Sequence, residues 1–68
     1  MIIKKKIYEL SQLVKFDLFT VDNLFVLQLF DKSVNPNDVG VSCIWENDHF
    51  DVEKLLDEAI KWSKERYR

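Results

Sequence analysis

Apolar residues recur at helical spacing near the end of the chain and at strand spacing through its middle. From Asp51 to Tyr67, the residues Val52, Leu55, Leu56, Ala59, Ile60, Trp62, Ser63 and Tyr67 fall within one broad stripe when placed about 100° apart. Lys54, Asp57, Glu58, Lys61, Lys64 and Glu65 occupy the remaining side. One face is therefore to be buried and the other wetted. Asp51 suits the N-cap, and Phe50 and Leu55 are spaced for a hydrophobic staple across it. Acids gather early (Asp51, Glu53, Asp57, Glu58) and bases late (Lys61, Lys64, Arg66, Arg68), the order that complements the helix dipole. A helix of this length is marginal alone in water, so the preceding residues must supply a surface for its stripe.

Phe16 to Asp31 reads as a hairpin, FDLFTV and LFVLQLFD joined by Asp22-Asn23. Both connecting residues tolerate positive φ, which predicts a two-residue type I′ turn. The turn sets the register: Val21 opposite Leu24, Phe19 opposite Val26, Leu18 opposite Leu27 and Phe16 opposite Leu29. Phe16, Leu18, Phe25, Leu27 and Leu29 then share one face. KSVNPND, residues 32–38, is expected to be a loop with Pro36 at the second position of a turn and its Asn and Asp side chains bonding the local backbone. VGVSCIWE, residues 39–46, alternates and predicts a third strand, with Val41, Cys43 and Trp45 inward and Ser42, Ile44 and Glu46 outward. Gly40 marks a bulge or a close approach of another element.

Residues 2–14 fit two templates. As a helix, Ile3, Ile7, Leu10, Leu13 and Val14 make one face; as a strand, Tyr8, Leu10, Val14, Phe16 and Leu18 line up, broken by Gln12. Lys, Glu, Leu and Gln dominate and favour the helix. The fold class expected is thus α+β: a three-stranded antiparallel meander packed on a C-terminal amphipathic helix, with a short N-terminal helix beside it, αβββα. The expected core is Phe16, Leu18, Phe25, Leu27, Leu29, Val41, Cys43, Trp45, Val52, Leu55, Leu56, Ala59 and Ile60.

Length and composition narrow this picture. Sixty-eight residues read as one domain, and a domain so small buries only about 60% of the surface its unfolded chain exposes. Its 47% apolar content, with five Phe and two Trp, argues against disorder. A single cysteine allows no internal disulfide and favours a reducing, cytoplasmic setting. No signal peptide or membrane span is evident, and one Gly and one Pro leave no linker for a second domain. The net charge of −2 sets up no global field towards nucleic acid.

The informative surface is the other side of the hairpin. Phe19, Val21, Leu24, Val26 and Phe30 fall together there, joined by Ile44 if the third strand is in phase. A one-sided antiparallel sheet should be polar on that face, and a contiguous apolar patch usually marks an interface. Two explanations compete: the N-terminal segment folds across the patch, or a second copy or another protein covers it, with the acidic start of the last helix as a rim. A homodimer is the first expectation. Lys4, Lys5, Lys6, Lys61, Lys64, Arg66 and Arg68 suggest an alternative, a basic end formed where the termini converge, with Trp62 and Tyr67 for base stacking. The order helix, three strands, helix is shared in outline with double-stranded RNA binding domains. Those domains present a lysine-rich start to their last helix, whereas Asp48, Asp51 and Glu53 stand at that place here, so the analogy is one of fold. His49 lacks partners for a zinc ligand set, and Cys43 is read as a core thiol. No nucleophile motif, phosphate loop or cofactor site is discerned, and no small-molecule substrate is expected. The function these features favour is a non-catalytic inhibitor or adaptor, compatible in composition with a phage or mobile element.

Overall fold

The computed structural model describes residues 2–66. Helix α1 (Ile2–Leu13) leads into strands β1 (Lys15–Val21), β2 (Leu24–Phe30) and β3 (Trp45–His49), and helix α2 (Val52–Arg66) follows. The strands form one antiparallel sheet in the order β1-β2-β3. This is the α+β, αβββα arrangement, and the N-terminal segment is a helix.

The hairpin register is the one its turn dictates, with Val21 opposite Leu24, Phe19 opposite Val26 and Lys15 opposite Phe30. The turn type differs from expectation. Of its two central residues only Asp22 has positive φ, at 56°, the φ pattern of type II′ rather than I′.

Both helices pack on the same side of the sheet. One cluster joins Leu10 and Val14 at the end of α1, Leu27 and Leu29 of β2, and Leu55, Leu56, Ala59 and Ile60 of α2. Phe16, Leu18, Phe25, Trp45, Val52 and Trp62 close around it, half-buried. Lys6 of α1 bonds Glu53 at 3.1 Å and Asp57 at 2.7 Å, while Glu9 holds Lys64 at 2.6 Å. Later residues of α1 thus meet later residues of α2, and the two helices run in the same sense.

The N-cap of α2 is as its sequence dictates: the Asp51 carboxylate accepts from the backbone N–H groups of Glu53 (3.0 Å) and Lys54 (3.4 Å). The staple is not made. Phe50 is 72% exposed and stacks on the His49 ring instead, with centroids 4.6 Å apart. His49 Nδ1 accepts the Asp51 N–H at 2.8 Å, which fixes the approach to the cap without Phe50. Replacing Asp51 with Ala orphans two amide donors and is expected to lower stability by about 1 kcal/mol. An unchanged urea midpoint would show that the cap carries no net energy.

The third strand begins later than its alternation implied. Residues 39–44 are not strand, because the chain is still reversing there. Asp38 donates to the Asn35 carbonyl across Pro36 (3.0 Å), and Val41 then donates to the Asp38 carbonyl (3.4 Å) across Gly40, whose φ is +89°. Gly40 serves a turn that needs positive φ, not a bulge or a close approach; a Cβ there would meet nothing within 4 Å. Val41 and Cys43 are consequently half-buried loop residues outside the core, and Val39 is fully exposed. The strand proper is WENDH. Ile44 N–H bonds the Leu29 carbonyl at 2.8 Å, and Leu29 pairs with Trp45.

Candidate functional site: the open face of the sheet

Strand alternation sends odd and even positions to opposite sides. Leu27, Leu29 and Trp45 face the helices, so Leu24, Val26, Glu46 and Asp48 face away from them, beside Phe19 and Val21 of β1. Helix α1 does not cross this outer face; it lies next to α2 on the other one. Phe19, Val21 and Leu24 are 41%, 49% and 39% exposed, and Val26 is half-buried. With Asp22, Glu46, Asn47 and Asp48 they line an open groove of about 540 Å³. Its floor is hydrocarbon, and its rim carries three carboxylates and no base.

Two residues expected in the exposed patch are covered: Phe30 on this same side of β2, and Ile44, which turns to the core. Phe30 is 5% exposed yet outside the main cluster. The loop after β2 returns to this end of the hairpin, where the Lys15 ammonium, opposite Phe30, donates to the Val34 carbonyl at 2.7 Å. Ile44 packs against the core rather than extending the patch. The rim also differs from the one expected. The acids that border the groove come from the hairpin turn and β3, while Glu53 and Asp57 at the start of α2 are engaged by Lys6. Asp48 was hidden from the sequence because the long connection before β3 fixes no register. Once Leu29 is paired with Trp45, residues 46 and 48 must point outward.

Glu46 is held in place by Gln28, whose side-chain amide donates to it at 2.7 Å. Asp22 and Asp48 make no side-chain hydrogen bond or ion pair among the described residues.

The basic residues do not converge. Lys6 sits against Glu53 and Asp57, and its pKa is raised above the ordinary lysine value, chiefly by the hydrogen bond to Asp57 and then by that to Glu53. Lys64 is engaged by Glu9, and the Arg66 guanidinium lies over Trp62, 5.4 Å from the ring centre. Lys4 and Lys5 lie near the start of α1, and Lys61 near the end of α2. Arg68 and Tyr67 lie outside the described residues.

Among the described residues no three His, Cys, Asp or Glu side chains are grouped to hold a metal, and no helix is long and apolar enough to cross a membrane. Comparison with protein-family models, with curated proteins and with solved structures finds no match.

Proposed function

We propose that this chain is a small non-catalytic protein-interaction module that binds a partner protein through the open face of its sheet, in the manner of an inhibitor or adaptor. The supporting observation is that both helices pack on one side and leave Phe19, Val21, Leu24 and Val26 uncovered on the other. An apolar patch rimmed by polar groups is what a protein partner buries. The groove is lined by hydrocarbon, carboxylates and one amide, with no hydroxyl, thiol or imidazole; this favours binding over covalent chemistry, with no cofactor. A cytoplasmic setting and an origin in a phage or mobile element fit the single thiol and the composition.

The test compares wild type with the paired Phe19→Ser and Leu24→Ser substitutions as bait in a lysate of the cells that carry the gene. Both positions are more than a third exposed, so the circular dichroism should be kept while a specific partner is lost. Equal retention by both baits would count against the proposal.

Self-association is the second reading, and the free edge of β1 favours it. Among the described residues β1 pairs with β2 alone, so its outer hydrogen-bonding groups can accept a second copy edge to edge. Face-to-face pairing has less support, since it sets two acidic rims against each other. A mass in light scattering that stays at 8.2 kDa at high concentration removes this reading. Nucleic-acid binding draws no support from the placement of the bases, and carboxylates repel phosphate wherever the apolar surface is open.

A further inference from the structure

Resting on the reading of the open face as a protein-binding surface, we infer that its occupant is a cationic amphipathic helix: an apolar stripe about two to three turns long, flanked by Lys or Arg.

The charge of the groove is lopsided in a way that the whole chain is not. The protein carries 10 bases against 12 acids, yet the groove is bordered by Asp22, Glu46 and Asp48 without one base. Bases elsewhere are directed to other acids, Lys6 to Glu53 and Asp57 and Lys64 to Glu9, and Asp17, opposite Gln28 on the same outer face, adds a further carboxylate beyond the groove. The base on the outer side of β1, Lys15, is directed to the Val34 carbonyl, at the end of the strand away from the groove. Glu46 is fixed by Gln28, so one rim carboxylate is already positioned. A segment that buries the floor partly desolvates this rim, and cationic flanks compensate that cost best. An acidic segment, a nucleic acid or an anionic membrane surface is repelled by the same three groups.

Backbone chemistry selects a helix. Across the face of a sheet the occupant meets side chains, not the sheet's amides and carbonyls. An extended peptide laid on that floor leaves its own N–H and C=O groups against hydrocarbon, whereas a helix satisfies them internally. The floor is about two strand spacings wide and a few residues long, on the order of 10 to 15 Å, which matches about two to three helical turns.

The test uses the full chain and two synthetic helices that share one apolar stripe, the first flanked by Lys and the second by Glu, followed by amide NMR shifts. The Lys helix is expected to move the resonances of Phe19, Val21, Leu24 and Val26 and to bind about tenfold or more tightly than the Glu helix. That preference should shrink to about threefold or less in the combined Asp22→Asn, Glu46→Gln and Asp48→Asn variant, and likewise at about 0.5 M salt. Equal binding of both helices on the sheet face keeps the protein-binding reading and overturns the cationic one. Shifts of the Lys helix that centre on the acidic start of α2 also overturn it. No shift on the sheet face with either helix overturns the helical occupant, while the bait comparison decides the protein-binding reading separately.

Discussion

Replacing Leu10 with Ala is expected to remove most of the stability of the fold and leave a measurable unfolded fraction at 25 °C. Leu10 is fully buried, in a cluster it shares with β2 and α2. Removing a buried Leu side chain costs its transfer energy plus that of the cavity, about 3 kcal/mol. A core in a domain of this size rarely supplies more than about 3 to 5 kcal/mol in all. The control is Tyr8→Ala in the same helix, where the side chain is 68% exposed and the change should stay within about 0.5 kcal/mol. Urea titration followed by circular dichroism reads both. If Leu10→Ala costs under about 1 kcal/mol, α1 is an appendage and not a wall of the core.

The opposite sign is expected at Ser63. It lies on the inner stripe of α2, fully buried, and its hydroxyl has no hydrogen-bond partner among the described residues. A buried hydroxyl without a partner costs about 1 to 3 kcal/mol, and Ser is also a poorer helix former than Ala by up to about 0.5 kcal/mol. Ser63→Ala should therefore stabilise the protein by about 2 kcal/mol and raise the melting temperature by about 10 °C. A melting temperature that falls would mean the hydroxyl is satisfied in solution. Because the position lies against the helix side of the sheet, binding at the open face should be unaffected.

What the sequence discloses is what short-range physics controls. The hairpin register follows from two residues, Asp22 and Asn23, because a two-residue loop leaves the strands no freedom to slide. The buried stripe of α2 and its Asp51 cap follow from spacing and from one carboxylate beside free amides. The turn at Pro36 is legible for the same reason.

The features that escaped are set by contacts distant in sequence. WENDH has little intrinsic strand preference. It is a strand because β2 offers a free edge and because its side chains reach α2: Trp45 packs on Trp62 with centroids 6.2 Å apart, and Asn47 donates to Glu58 at 2.9 Å. None of these pairings has a local signature. Val41 and Cys43 alternate like a strand, yet the turn at Gly40 takes them out of the sheet. The periodicity of α1 identifies the face holding Leu10 but not the side of the sheet on which it docks. That choice falls to Leu10 itself and to the Lys6 and Glu9 ion pairs with α2. The open face was readable where the hairpin defines it, at Phe19, Val21, Leu24 and Val26. Phe30 lies on the expected side but is covered, and Ile44 turns to the core, because the long connection before β3 decides what is covered.

The pairing of Trp45 with Trp62 has an optical consequence. The sequence contains two tryptophans, and both lie at one seam, where the last strand meets the last helix, with Arg66 over one ring. Tryptophan emission from this protein therefore samples a single location. It would register the final helix lifting from the sheet while remaining blind to events on the far face, so a ligand seated there has to be followed by another probe.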